Sequence, residues 1–150
     1  LLHMCANYFD SIVPQHHEAE EPEANLMKRW EETHELCLEN FEKFQFSQGL
    51  ESLSGFIRSI NKYADERVPW KLAKSTEEGA MVNLQTCIST MVEALRLANS
   101  LLVAVLPEIH AKINNRLGME PTEFWRDDLV WDYRLDGEKL KEKIILFPRK

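Results

Sequence analysis

The residues best suited to chemistry lie between Asn61 and Lys74, where Asn61, Lys62, Tyr63, Asp65 and Glu66 are followed by Pro69, Trp70, Lys71 and Lys74. A tryptophan offers a flat face on which any unstacked nucleotide base can lie, and an ammonium beside it can meet the phosphate that accompanies the base. The same residues have a plainer use. Trp70 can plug the gap between two packed helices, Asp65 can pair with Lys62, and Asn61 can be an ordinary polar helix residue. Residue types leave both readings open. Arg58, Asn61 and Asp65 recur at spacings of three and four, so they share one flank of a helix.

That helix is the third in the chain. Ser47 suits its N-cap, Glu51 its first turn, and Leu50, Leu53, Ile57, Ile60 and Ala64 its apolar stripe. It must stop near Val68, because the residue before a proline is pushed out of the helical region and Pro69 has no N–H to donate. Trp70 therefore stands at a corner, followed by one short turn over Lys71 to Lys74. Upstream, residues 1 to about 12 read as the tail of a helix that ends before Val13-Pro14. Gln15 to Glu21 reads as a polar loop, with His16 and His17 as a solvated pair lacking a third metal ligand.

The second helix starts around Pro22 with Glu23 in its first turn. Leu26, Trp30, Cys37, Phe41 and Phe44 form its core face, with His34 on the same stripe; Glu31, Glu32, Glu35, Glu39 and Glu42 form an acidic outer face that repels RNA. A fourth helix, the longest, runs from about Thr76 to Leu106, opened by Ser75 and the acids Glu77 and Glu78. Its stripe of Met81, Leu84, Ile88, Met91, Leu95, Ala98, Leu102 and Val105 is widened by Val92, Leu101 and Leu106, which marks the spine of a bundle. Pro107 opens a shorter helix that Gly118 closes after Leu117. Beyond it, Pro121 to Trp125 and Asp127 to Trp131 read as turns or loop, with Phe124, Trp125, Trp131 and Tyr133 anchoring an irregular tail. Lys139, Lys141, Lys143, Arg149 and Lys150 make that tail the most basic part of the chain.

At 150 residues the chain is one domain, and its scarcity of glycine and proline (5 and 6) favours long helices. A formal charge of −7 argues against wholesale binding of a phosphate backbone and confines any nucleic-acid contact to a small area. Cys5, Cys37 and Cys87 are odd in number and far apart, which reads as free thiols without a metal site. No run of about twenty apolar residues exists. The glycines never cluster into a phosphate loop, and no local signature of a catalytic triad is present.

The run Asn61-Lys62-Tyr63, Asp65-Glu66 and Pro69-Trp70-Lys71-Leu72-Ala73-Lys74 resembles the signature of the anticodon-binding domain of methionyl-tRNA synthetases. Glu93-Ala94-Leu95-Arg96 through Leu106-Pro107-Glu108 with Leu117-Gly118 is similar to that family's long helix and the proline-started helix after it. Ile145-Leu146-Phe147-Pro148-Arg149 resembles its closing segment, and Tyr8-Phe9-Asp10 with Val13-Pro14 the end of its first bundle helix.

The resemblance implies an all-α bundle of about five helices with an irregular C-terminal tail over 119–150, the whole of 1–150 forming an anticodon-binding domain excised from a longer, cytoplasmic synthetase, with a mitochondrial location also open. It implies recognition of the CAU anticodon of tRNA for methionine, with Trp70 stacking on a base, Pro69 setting the corner, Asn61 and Asp65 positioning the loop, and Lys71 and Lys74 meeting phosphates. The family's asparagine and arginine from the first helix align just before Leu1. No cofactor is expected in this domain; ATP and Mg²⁺ belong to the catalytic domain of the parent ligase, with which this domain would pack. Two alternatives remain: the equivalent domain of a sibling synthetase for cysteine, valine, leucine or isoleucine, and a helical protein-interaction module without an RNA role.

Overall fold

The computed structural model describes residues 1–120 and 125–141; the closing motif from Ile145 to Arg149, and Phe124, lie outside them. The expected all-α bundle is present. Helix α1 covers Leu2–Phe9, α2 Glu21–Glu42, α3 Phe46–Arg67, α4 Pro69–Leu72, α5 Ala80–Leu102 and α6 Pro107–Leu117, and a 3-10 turn covers Trp125–Leu129. Antiparallel α2 and α3 form a hairpin laid on α5, which also meets α1, α4, α6 and the 3-10 turn. Every residue of α5 from Thr86 to Leu101 except Leu95 is buried, as a spine covered on all sides requires.

Several boundaries differ from expectation for local reasons. The first helix stops at Phe9, because Asp10 and Ser11 both turn to positive φ, 50° and 64°. The third starts at Phe46 without a Ser47 cap: the connection from α2 is so tight that Gln45 N–H donates back to Asn40 O at 2.8 Å. The fourth long helix starts at Ala80, after Gly79 at φ 82°, so Glu77 and Glu78 precede it; at the other end, Leu106 N–H closes on Leu102 O at 2.7 Å. Glycine costs nothing in that left-handed conformation, whereas a helix entering from Thr76 would need no such turn.

The apolar stripes are shifted as well. In α3 the buried set is Leu53, Phe56, Ile60 and Tyr63, while Ile57 is 41% exposed. Phe44 is 81% exposed because α2 has already ended at Glu42, and Met81 is 56% exposed in the first turn of α5. Phe41 does pack inward, over Gly49, where an added Cβ would sit 2.3 Å from its ring. Trp30 is sealed at 0% exposure, its ring 5.1 Å from that of Phe56 and its Nε1 donating to Leu129 O at 2.9 Å.

Two buried charges on α5 fasten the segment after α6. Arg96 donates to both carboxylate oxygens of Glu93 (2.9 and 2.7 Å) and to the carbonyls of Asp128 and Val130, each at 2.6 Å. Glu93 Oε1 in turn accepts the N–H groups of Asp132 and Tyr133 at 2.9 and 3.1 Å. His16 and His17 are exposed but do not form a free pair. His16 Nδ1 lies 2.6 Å from Asp136 and its ring stacks on Tyr133 at 3.8 Å, while His17 meets Gln85 and Thr86. With the bridge between Ile12 and Lys139, these contacts tie the loop after α1 to the tail.

Candidate nucleic-acid interface

The third helix ends as its sequence dictates. Arg67 is its last residue and Val68 takes φ 47° and ψ 56°, its N–H donating to Ala64 O at 3.0 Å. The left-handed region costs a non-glycine residue about 1–2 kcal/mol, and a β-branched one is rarely found there. Pro69, buried, opens α4, and Val68 O accepts the N–H groups of Lys71 and Leu72 at 2.8 and 3.2 Å. Leu72 and Ala73 pack against the core, so the turn is fixed on one side.

Trp70 faces the other way, 42% exposed, with Lys71 and Lys74 exposed beside it in sequence. Asn61 and Asp65 are also exposed, on the last turns of α3, and among the described residues no hydrogen bond or ion pair joins Asp65 to Lys62. All six residues singled out from the sequence thus occupy the end of α3 and the turn after it. The indole is neither sealed in the core nor fully free, at 42% exposure.

A buried polar cluster stands one turn above this corner. Glu23 is 0% exposed and accepts the phenol of Tyr63, itself 3% exposed. Arg67 Nη1 donates to Glu20 Oε2 at 2.6 Å, and its Nε lies 3.0 Å from Glu23 Oε1 without hydrogen-bond alignment. Glu20 and Glu23 also form the capping box that opens α2, Glu20 N–H donating to Glu23 Oε2 at 3.0 Å. Burial, with neighbouring Cys87 and Glu23 adding to it, pushes the Tyr63 phenol far above its ordinary range, and burial pushes the Cys87 thiol up to about 12. Both shifts keep these two groups in their neutral forms near pH 7.

Sequence reasoning gave Glu23 a role in the first turn of α2, offsetting the helix dipole, and did not join it to Tyr63 or Arg67. The only signal was the Glu20-x-x-Glu23 spacing, an unusual form of the capping box. Among the described residues no group of three or more His, Cys, Asp or Glu side chains could hold a metal. A groove of about 180 Å³ between α2 and α3, lined in part by Asn25, Arg29, Lys62 and Glu66, is smaller than ordinary small-molecule sites and mixed in charge. No helix of the described residues is long and apolar enough to cross a membrane.

No family model matches the chain. Among solved structures, methionyl-tRNA synthetase of Mycobacterium tuberculosis in complex with methionyl-adenylate superposes with a TM-score of 0.90 at 27% identity, over 99% of this chain and 29% of that one. The fold is therefore that of a helical domain carried by aminoacyl-tRNA synthetases. Sequence narrows this further: over 147 residues, 97% of its length, the chain is 31% identical to a methionine–tRNA ligase of Caldanaerobacter subterraneus, and over 146 residues 30% identical to one of Clostridium acetobutylicum. The chain belongs to the methionine–tRNA ligase family, matching its C-terminal domain, and spans 23% and 22% of those two relatives.

Proposed function

We propose that this domain reads the anticodon loop of tRNA for methionine on behalf of a methionine–tRNA ligase. One observation carries the reading: in a chain of this family, Trp70 is held 42% exposed at a proline-fixed corner, with exposed lysines on its C-terminal side. A loop base stacks on the open indole face, a contact worth about 1–3 kcal/mol. Lys71 and Lys74 meet the adjoining phosphates, and Asn61 and Asp65 offer an amide and a carboxylate to base edges or ribose hydroxyls. Pro69 sets the direction of the ring.

The chemistry belongs elsewhere in the whole enzyme. A catalytic domain that uses ATP and Mg²⁺ joins methionine to the tRNA, in the cytoplasm, while this domain takes no cofactor and selects the tRNA. With only two lysines facing phosphates, binding of a CAU-loop RNA hairpin should fall with salt at a log–log slope of about −1.4. Direct titration of that hairpin and of one with a different anticodon tests the reading: tighter binding of the CAU loop supports it, and equal binding refutes it. A protein-docking role is favoured by a different observation, the 81% exposed Phe44 beside Phe46 at the far tip of the α2–α3 hairpin. No measurable binding of either RNA hairpin would favour that second reading.

A further inference from the structure

We propose that Arg67, held by Glu20 and Glu23, is the positioning residue that aims Trp70. This rests on the reading of Trp70 as a base-stacking residue. Only Val68 and Pro69 separate Arg67 from the ring, and proline fixes its own φ. The remaining freedom lies at Val68, whose left-handed conformation persists only if its flanks over-determine it.

On the far flank the restraint is α4, seated on the core through Leu72 and Ala73. On the near flank it is the Arg67 guanidinium, 12% exposed, with Nη1 2.6 Å from Glu20 and Nε 3.0 Å from Glu23. Both carboxylates come from the start of α2, and Tyr63 holds the second of them from α3. The direction of the indole is thus referred to the N-terminus of α2 and not to α3 alone. Cohesion by itself does not call for ions here, since apolar side chains of similar volume hold helices together as well or better. What an aligned guanidinium bond to Glu20 adds, with the buried Glu23 charge drawing the same group inward, is direction.

The test is a double-mutant cycle on the chain, read as affinity for a CAU-loop RNA hairpin well below the lowest Tm of the set. Arg67→Gln should weaken binding about three- to thirtyfold in the parent chain and not at all in a Trp70→Ala background, because the residue acts through the ring. Arg67→Lys should recover part of the loss. Where Arg67→Gln fails to fold, Val68→Gly serves instead: it keeps every charge and removes the strain, so Tm should hold while binding weakens, again only when Trp70 is present. Equal losses in both backgrounds, or intact binding by Arg67→Gln and Val68→Gly beside an impaired Trp70→Ala, overturn the proposal and leave the reading of the corner standing. Wild-type binding by Trp70→Ala overturns that reading and this proposal together.

Discussion

Trp30 and Trp70 put the same side chain to opposite uses. Trp30 sits mid-helix on the stripe of α2, sealed between Phe56 and the carbonyl of Leu129, which takes its N–H at 2.9 Å. Trp70 follows a proline at the end of a helix and stays 42% exposed. The difference lies in what the backbone allows. A continuous helix carries its stripe into the bundle wherever a partner faces it, while a strained corner can turn a large ring outward and keep it there because the chain on either side is fixed. One indole is spent on cohesion, and the other remains available to a ligand.

The largest effect should come from undoing the brace that supplies Trp30 with its partner. Arg96→Ala leaves Glu93 buried without its cation and frees the segment that carries Leu129, a loss of about 3–5 kcal/mol in denaturant unfolding. Trp30 should then become accessible to a soluble quencher. Trp30→Ala should cost a similar 3–5 kcal/mol through its cavity and the orphaned carbonyl, lowering Tm by about 6–20 °C. Trp70→Ala should change stability by about 1 kcal/mol or less, which sets the two rings apart. A Lys71→Ala, Lys74→Ala double variant should leave Tm unmoved and flatten the salt dependence of hairpin binding by about 1.4 log units per decade.

The thiols give the smallest signal. Burial raises Cys5 and Cys37 to about 11 and Cys87 to about 12, against 9.0 for a free thiol. Because the folded values are the higher ones, stability is full below pH 9 and declines as pH climbs from there toward 11 and 12. At neutral pH a thiol reagent should label none of the three until the chain is unfolded. Rapid labelling of the native chain would show that these cysteines are not sealed.

Much of this could be read from the amino acids where the cause was local. Proline at 69 and 107 and glycine at 118 mark helix boundaries because they act on their own backbone, so the stop before Trp70 follows from Val68-Pro69, whereas the left-handed turn at Val68 does not. Periodicity overshot where it lacked a partner: Phe44 and Met81 continue their stripes past the point at which anything covers them. It also misplaced the charges. Glu23, Glu93 and Arg96 look like solvent residues in any pattern of types, and they are buried because each meets groups distant in sequence: Tyr63 and Arg67 for the first, the backbone from Asp128 to Tyr133 for the other two. No window on one helix contains both members of such a pair. The likeness of Glu93-Ala94-Leu95-Arg96 to the family's long helix carried no role for these residues; their bonding gives Glu93 and Arg96 a structural task in fastening the tail.

The central claim is that the fold holds Trp70 for a ligand and not for itself. It is tested most directly by measuring Tm and affinity for a CAU-loop hairpin on the same samples of the parent chain, Trp70→Phe and Trp70→Ala. The account predicts nearly equal Tm values, a small loss of affinity for phenylalanine, which keeps a stacking face, and a loss of about 1–3 kcal/mol for alanine. Unchanged affinity together with a fall in Tm as large as that of Trp30→Ala would contradict it.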